Sequence, residues 1–259
     1  FQLNAKYYSS FNFSFTEPWF GGKKPNSFTL SLYQSFQSNG ISKDNPDFQQ
    51  IKITGATVGL GKRLKFPDDF FTLYSAITYQ RYDLNNYQYE FTFTDGYSNN
   101  LNAKIVLARN SVDPPIYPRK GSSFSLSAQA SPPYSLFSNK DYTNASQQEK
   151  FRWMEYHKWR FDAAWYLTFF DKLVAHVGID MGFLGMYNRS IGITPFERFY
   201  VGGDGLSGYN LDGRELIALR GYENNSLTAE KNDEIGGTIF NKYTLEVRYP
   251  FSLNPSATI

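Results

Sequence analysis

The chain has 259 residues, no cysteine, a formal net charge of +2 and an aromatic content of 19%, led by 24 Phe and 20 Tyr. A charge so near balance gives no electrostatic case for nucleic acid, and without thiols disulfide frameworks and thiolate metal sites are excluded. No window approaches the roughly 18 consecutive apolar residues of a membrane helix, and neither a signal peptide nor an initiator Met opens the chain, which reads as a mature product or as a part of something longer.

From the start the side chains alternate with period two, the signature of strands with one apolar and one polar face. Phe11, Phe13 and Phe15 share a face against Asn12, Ser14 and Thr16, and after a turn over residues 18–25, Phe28, Leu30 and Leu32 oppose Ser27, Thr29 and Ser31. A polar loop follows, then strands near Ile51 to Lys62 and Phe70 to Tyr82 whose facing is mixed, joined by a tight link at Lys65 to Asp69. Between Asp83 and Asn100, Tyr87, Tyr89, Phe91 and Phe93 stand at alternate positions and extend a hairpin beyond the strands proper.

The pattern then sharpens. Leu101, Ala103, Ile105 and Leu107 oppose Asn102 and Lys104; a Pro-rich link, Asp113 to Gly121, leads to Phe124, Leu126, Ala128 and Ala130 against Ser123, Ser125, Ser127 and Gln129. Beyond a loop at Ser131 to Lys150, Trp159, Phe161, Ala163, Trp165 and Leu167 form an apolar face and Lys158, Arg160, Asp162 and Tyr166 a polar one. A hairpin turn at Phe169 to Lys172 returns to Leu173, Ala175, Val177, Ile179, Met181 and Phe183, with His176, Gly178, Asp180 and Gly182 opposite. After a loop of about residues 188–236, Tyr243, Leu245, Val247 and Tyr249 alternate with Lys242, Thr244, Glu246 and Arg248. The whole makes about nine strands and no helix of consequence.

A soluble sandwich and a membrane barrel both alternate in this way. Two features favour the barrel: tight turns near Gly21, Pro67, Pro115 and Asp171 alternate with long loops near Asp44, Tyr87, Tyr142 and Gly205, and the polar faces carry charges in mid-strand. Short turns on one side and long loops on the other are the habit of outer-membrane barrels. Open ends would leave unpaired backbone in hydrocarbon, so the fold class expected is an all-β antiparallel meander, a transmembrane β-barrel present here as an incomplete excerpt.

Signals for catalysis are weak. His176 and Asp180 share a strand face but stand roughly 13 Å apart, too far for a direct hydrogen bond. His157 has Glu155 and Trp159 as neighbours on its face, and two histidines without cysteines make no zinc site. Asp204, Asn210, Asp212 and Glu215 have the composition of a calcium loop without EF-hand spacing, and read as an Asx-rich turn. No catalytic residue, metal or cofactor is expected, and the chain is not read as an enzyme.

The stretches Phe15-Thr16-Glu17-Pro18-Trp19-Phe20-Gly21-Gly22, Pro114-Pro115-Ile116-Tyr117-Pro118-Arg119-Lys120-Gly121, Phe199-Tyr200-Val201-Gly202-Gly203 and Leu219-Arg220-Gly221-Tyr222 occur in an order that resembles the BamA family. The resemblance covers essentially the whole chain. It implies that residues 1–259 belong to one barrel domain, from about strand four to the start of strand thirteen of a sixteen-stranded outer-membrane barrel, with POTRA domains and the remaining strands outside. It also implies a Gram-negative outer-membrane location and the folding and insertion of β-barrel proteins without ATP. The partners implied are unfolded outer-membrane proteins, assembly-machine lipoproteins and outer-membrane lipid. The alternative is a polypeptide-exporting transporter of the same superfamily, or a passive pore. The segment 204–215 departs from the family, which often has only a few residues between the Gly-Gly and Arg elements.

Within the long loop, Gly202 and Gly203 are expected at the base and Arg220, Gly221 and Tyr222 as a lock. A guanidinium tucked into a lumen needs a planar acceptor; Gly221 would supply backbone freedom and Tyr222 a packed ring with a paired hydroxyl. The resemblance puts the acceptor on strand thirteen, and within this chain Asp180 or Glu246 could substitute. The competing reading is an exposed Arg-Gly turn in a loose loop.

Overall fold

The computed structural model describes residues 2–4, 7–22, 26–88, 92–113, 117–138, 140–170, 172–203, 215–231 and 234–249. Ten strands pair as one antiparallel meander: β1 (Gln2–Asn4), β2 (Tyr8–Glu17), β3 (Asn26–Ser38), β4 (Gln50–Arg63), β5 (Phe71–Asn85), β6 (Gly96–Asn110), β7 (Gly121–Ala130), β8 (His157–Phe169) and β9 (Leu173–Gly185), followed past the small strands β10 (Phe199–Val201), β11 (Glu215–Ile217), β12 (Glu230–Lys231) and β13 (Glu234–Ile235) by β14 (Ile239–Arg248). The sheet runs from β1 to β14 and does not close on itself. The α-helical content among the described residues is one short turn, α1 (Gln147–Lys150).

Register assigns the faces. Phe13 pairs with Leu32, Leu32 with Ala56, and Trp159 with Phe183, so the apolar sets expected from alternation line up across neighbours on one side. That side meets no second sheet: Phe11 is 53% exposed, Tyr243 68% and Leu245 78%. Among the described residues there is thus no dry sandwich core, and such an apolar expanse on a meander is what hydrocarbon rather than water would cover.

The mixed facing of residues 51–82 has a geometric cause. On the outer side, the row Leu32, Ala56, Tyr79 and Leu101 is succeeded toward the long-loop end by the row Gln34, Thr54, Arg81 and Asn99. At the same height the polar side turns apolar, with Ile51, Ile53, Tyr82 and Leu84 buried. The strands β4 and β5 thus exchange their greasy face as they pass this boundary, while the inward positions of β6 at this height, Ser98 and Asn100, are polar. The inward apolar residues join Tyr156, Leu184, Phe196, Phe199, Ile217 and Phe240 in one core between sheet and loop. Tyr87 belongs to that core and Phe93 packs on it, whereas Tyr89 and Phe91 lie outside the described residues.

The contrast in connection length is narrower than expected. Residues 86–95 and 111–120 are similar in span, and the asymmetry is carried by 131–156 and 186–238, both at the end opposite the tight links 64–70 and 170–172.

Candidate functional site

The described parts of the connection 186–238 fold back onto the polar side of the sheet. Apolar contacts seat it first: the Phe196 ring lies tilted on Tyr82 at 4.6 Å, and Phe199 meets Phe240 edge-on at 4.7 Å. Gly182 on β9 makes room, because a Cβ there would stand 2.7 Å from the Phe199 ring and 2.2 Å from that of Phe240. Burying such rings contributes roughly 1.5–3 kcal/mol each.

Charge then fixes the position. Lys158, at the loop end of β8 and only 7% exposed in its side chain, lies 3.1 Å from Glu197 Oε2 and 2.5 Å from Glu215 Oε2. Glu197 comes from a 3-10 turn early in the loop, Pro195–Glu197, and Glu215 from β11. The other Glu197 oxygen accepts from Asn100 Nδ2 at 3.0 Å and from the Tyr156 hydroxyl at 3.1 Å. Gln129 Nε2 donates to that hydroxyl at 2.6 Å. Glu215 also pairs with Arg160, whose other arm holds Asp180 at 2.9 Å, and Lys242 Nζ donates to the Ala218 carbonyl at 2.7 Å. A buried cation shared by two carboxylates with their remaining lone pairs filled is the arrangement that offsets desolvation.

Burial alone would raise the Glu215 carboxyl; Lys158 and Arg160 outweigh it and hold the group below the ordinary glutamate range. Burial and the neighbouring Glu197 carboxylate push the Tyr156 phenol well above its usual value, so it remains a proton donor.

The loop's two motifs meet. β10 runs parallel to β11, Gly202 N donates to Ile217 O at 3.1 Å, Leu219 N to Gly203 O at 2.8 Å and Gly203 N to Tyr222 O at 3.1 Å. Gly202 and Gly203 have φ of 126° and 89°, closed to most residues. A Cβ on Gly202 would stand 2.4 Å from the Glu223 carbonyl oxygen.

Arg220 and Tyr222 are exposed, Gly221 has φ 89°, and Arg220 makes no ion pair with a described residue. The two acceptors considered within the chain are engaged elsewhere: Asp180 by Arg160, and Glu246 by Arg248 at 2.5 Å and His176 at 3.4 Å. Neither of the two is paired with Arg220. Glu215, read from sequence as part of an Asx-rich turn, is instead a counterion of the seat, and residues 204–214 lie outside the described residues, as do Pro114 to Ile116 of the turn motif and Asp171 of the hairpin. Sequence reasoning missed Glu197 as well. The available signal was Lys158, a cation on a polar face at the loop end that needs a partner when the loop covers it.

His176 stacks on Tyr166 at 4.6 Å, and Trp159 Nε1 donates to His157 Nδ1 at 3.1 Å. Among the described residues no three His, Cys, Asp or Glu side chains are grouped to hold a metal ion.

No curated protein matches the sequence. Among solved structures, the crystal structure of BamA from Haemophilus ducreyi lacking POTRA domains 1-3 is similar in fold, with a TM-score of 0.66 at 19% identity over 95% of this chain and 46% of that one. The chain thus spans less than half the length of that structure. The profile of the Omp85 superfamily domain matches residues 1–258, and with the meander and its seated loop this places the chain in the Omp85 superfamily.

Proposed function

We propose that the chain is part of an outer-membrane barrel of a Gram-negative bacterium that folds and inserts other β-barrel proteins without ATP. The supporting observation is a sheet similar to that of BamA whose polar side is occupied by a loop seated through Glu197 and Glu215, which argues against a passive open pore. On this reading residues 1–259 supply about strand four to the start of strand thirteen of a sixteen-stranded barrel, with POTRA domains preceding them. Its partners are unfolded outer-membrane proteins, assembly lipoproteins and lipid.

Arg220, Gly221 and Tyr222 then form a lock whose acceptor is a carboxylate on a strand outside residues 1–259. The work is mechanical: a barrel that offers a template edge and perturbs the bilayer lowers the barrier to insertion. The test is the full-length protein in lipid vesicles, given a urea-unfolded β-barrel client and no nucleotide. Faster appearance of the heat-resistant folded client is expected. An unchanged folding rate accompanied by passage of the polypeptide into the vesicle would favour the transporter instead.

A further inference from the structure

Immediately beyond the row where the outer side of β3 to β6 turns from apolar to polar, cations gather. The Arg81 guanidinium lies 4.3 Å from the centre of the Tyr97 ring, and that of Arg152 lies 5.4 Å from the same ring. Asp83 balances Arg81 at 2.9 Å, but among the described residues neither Arg152 nor Lys150 has a carboxylate within ion-pair distance. Trp153 bridges to Asn99 of the outer row and stands half exposed, 6.5 Å from Tyr79 below it and 5.2 Å from Tyr134 beside it.

A cavity of about 130 Å³ opens among Tyr134, Trp153, Lys150, Arg152, Lys140 and Glu149, the last two paired with each other. The Tyr134 hydroxyl is buried at it without a hydrogen-bond partner. Glu155, also in its wall, is already engaged, accepting from Ser135 N at 2.8 Å and Ser135 Oγ at 2.6 Å.

We propose that this rim binds the phosphate of an outer-leaflet lipid, with the headgroup among Arg152, Lys150 and Tyr134 and the acyl chains passing Trp153 and Tyr79. Three features support it. Indole and phenol rings settle at the level of the headgroups. Each Lys or Arg near that level attracts an anionic headgroup, and an arginine fork matches phosphate oxygens. The placement at the change of face is what separates a lipid from a free anion as the occupant. The inference rests on the outer-membrane reading above.

The test titrates phosphatidic acid, phosphatidylcholine of the same chains and inorganic phosphate onto the full-length protein in neutral detergent, with bound lipid counted by native mass spectrometry. Saturable phosphatidic acid binding is expected, weakened about fivefold for each of Lys150 and Arg152 removed and roughly twenty-five-fold in Lys150→Gln/Arg152→Gln. Lys150→Gln alone, with its fivefold loss, serves if the double variant does not fold. Equal binding by variant and wild type, equally tight phosphatidylcholine, or displacement of the lipid by equimolar inorganic phosphate each overturns the site. Failure of the wild-type protein to insert into vesicles would instead count against the outer-membrane reading.

Discussion

Lys158 on β8 and Glu215 in the loop face each other at 2.5 Å, and Glu197 meets the same ammonium at 3.1 Å. One sheet cation therefore ties down two parts of the loop. Lys158→Ala leaves two carboxylates facing a buried vacancy and is expected to cost roughly 3–5 kcal/mol. Glu215→Gln keeps Glu197 on the lysine and is expected to cost roughly 1–3 kcal/mol. The temperature at which the full-length protein loses its compact gel mobility ranks the two, and a Glu215 variant as weak as the Lys158 variant would refute the shared-cation arrangement.

The seat has a defined acid response. Because the folded-state value of Glu215 is depressed, its contribution is present above the unfolded glutamate pKa, about 4.3, and is lost as the pH falls through the folded value. Protease nicking of the loop should stay constant from neutral pH down to about 5 and rise only below about 4. Loosening between about pH 7 and 6 would point to a histidine instead.

The loop glycines are expected to differ. Gly202→Ala drives a Cβ to 2.4 Å from a backbone oxygen at φ 126°, whereas Gly221→Ala, at φ 89°, meets nothing within 4 Å. Gly221→Ala therefore costs roughly 1 kcal/mol of backbone strain and Gly202→Ala distinctly more. Equal melting temperatures for the two variants would show that the Gly202 approach is not a close one.

Much of the meander is legible in the sequence because period two is strict wherever one face is apolar throughout, as in Trp159 to Leu167 and Tyr243 to Tyr249. It fails at residues 51–82 because Ile51 and Ile53 serve the loop core while Val58 and Leu60, on the opposite parity, face outward. The Gly-Gly and Arg-Gly-Tyr stretches were legible only as ordered motifs, and the backbone bridge from Gly203 to Leu219 that brings them side by side was not. The ionic seat was not legible. Glu197 and Glu215 reach Lys158 across long sequence separations, and local pattern carries no information about such pairs.

Arg220 is exposed and without a described ion-pair partner, so Arg220→Ala should leave the Lys158 network untouched. On the proposed lock, the variant still inserts but is less heat-resistant, and levels of other outer-membrane β-barrels fall in cells that depend on it. Wild-type client levels with unchanged heat resistance would remove Arg220 from the function.

What each side of the sheet touches decides between a membrane barrel and a protein-packed sheet. The described chain offers alternating probe positions on β9 and β14: Val177 and Leu245 on the outer side, His176 and Thr244 on the polar side. Single cysteines at these positions in the full-length protein, spin-labelled in vesicles, report collisions with oxygen, which concentrates in hydrocarbon, and with a water-soluble nickel chelate. Oxygen should dominate at Val177 and Leu245 and nickel at His176 and Thr244. Labels at Val177 and Leu245 sheltered from both reagents would mean that this side packs against protein, and the membrane barrel would have to be given up.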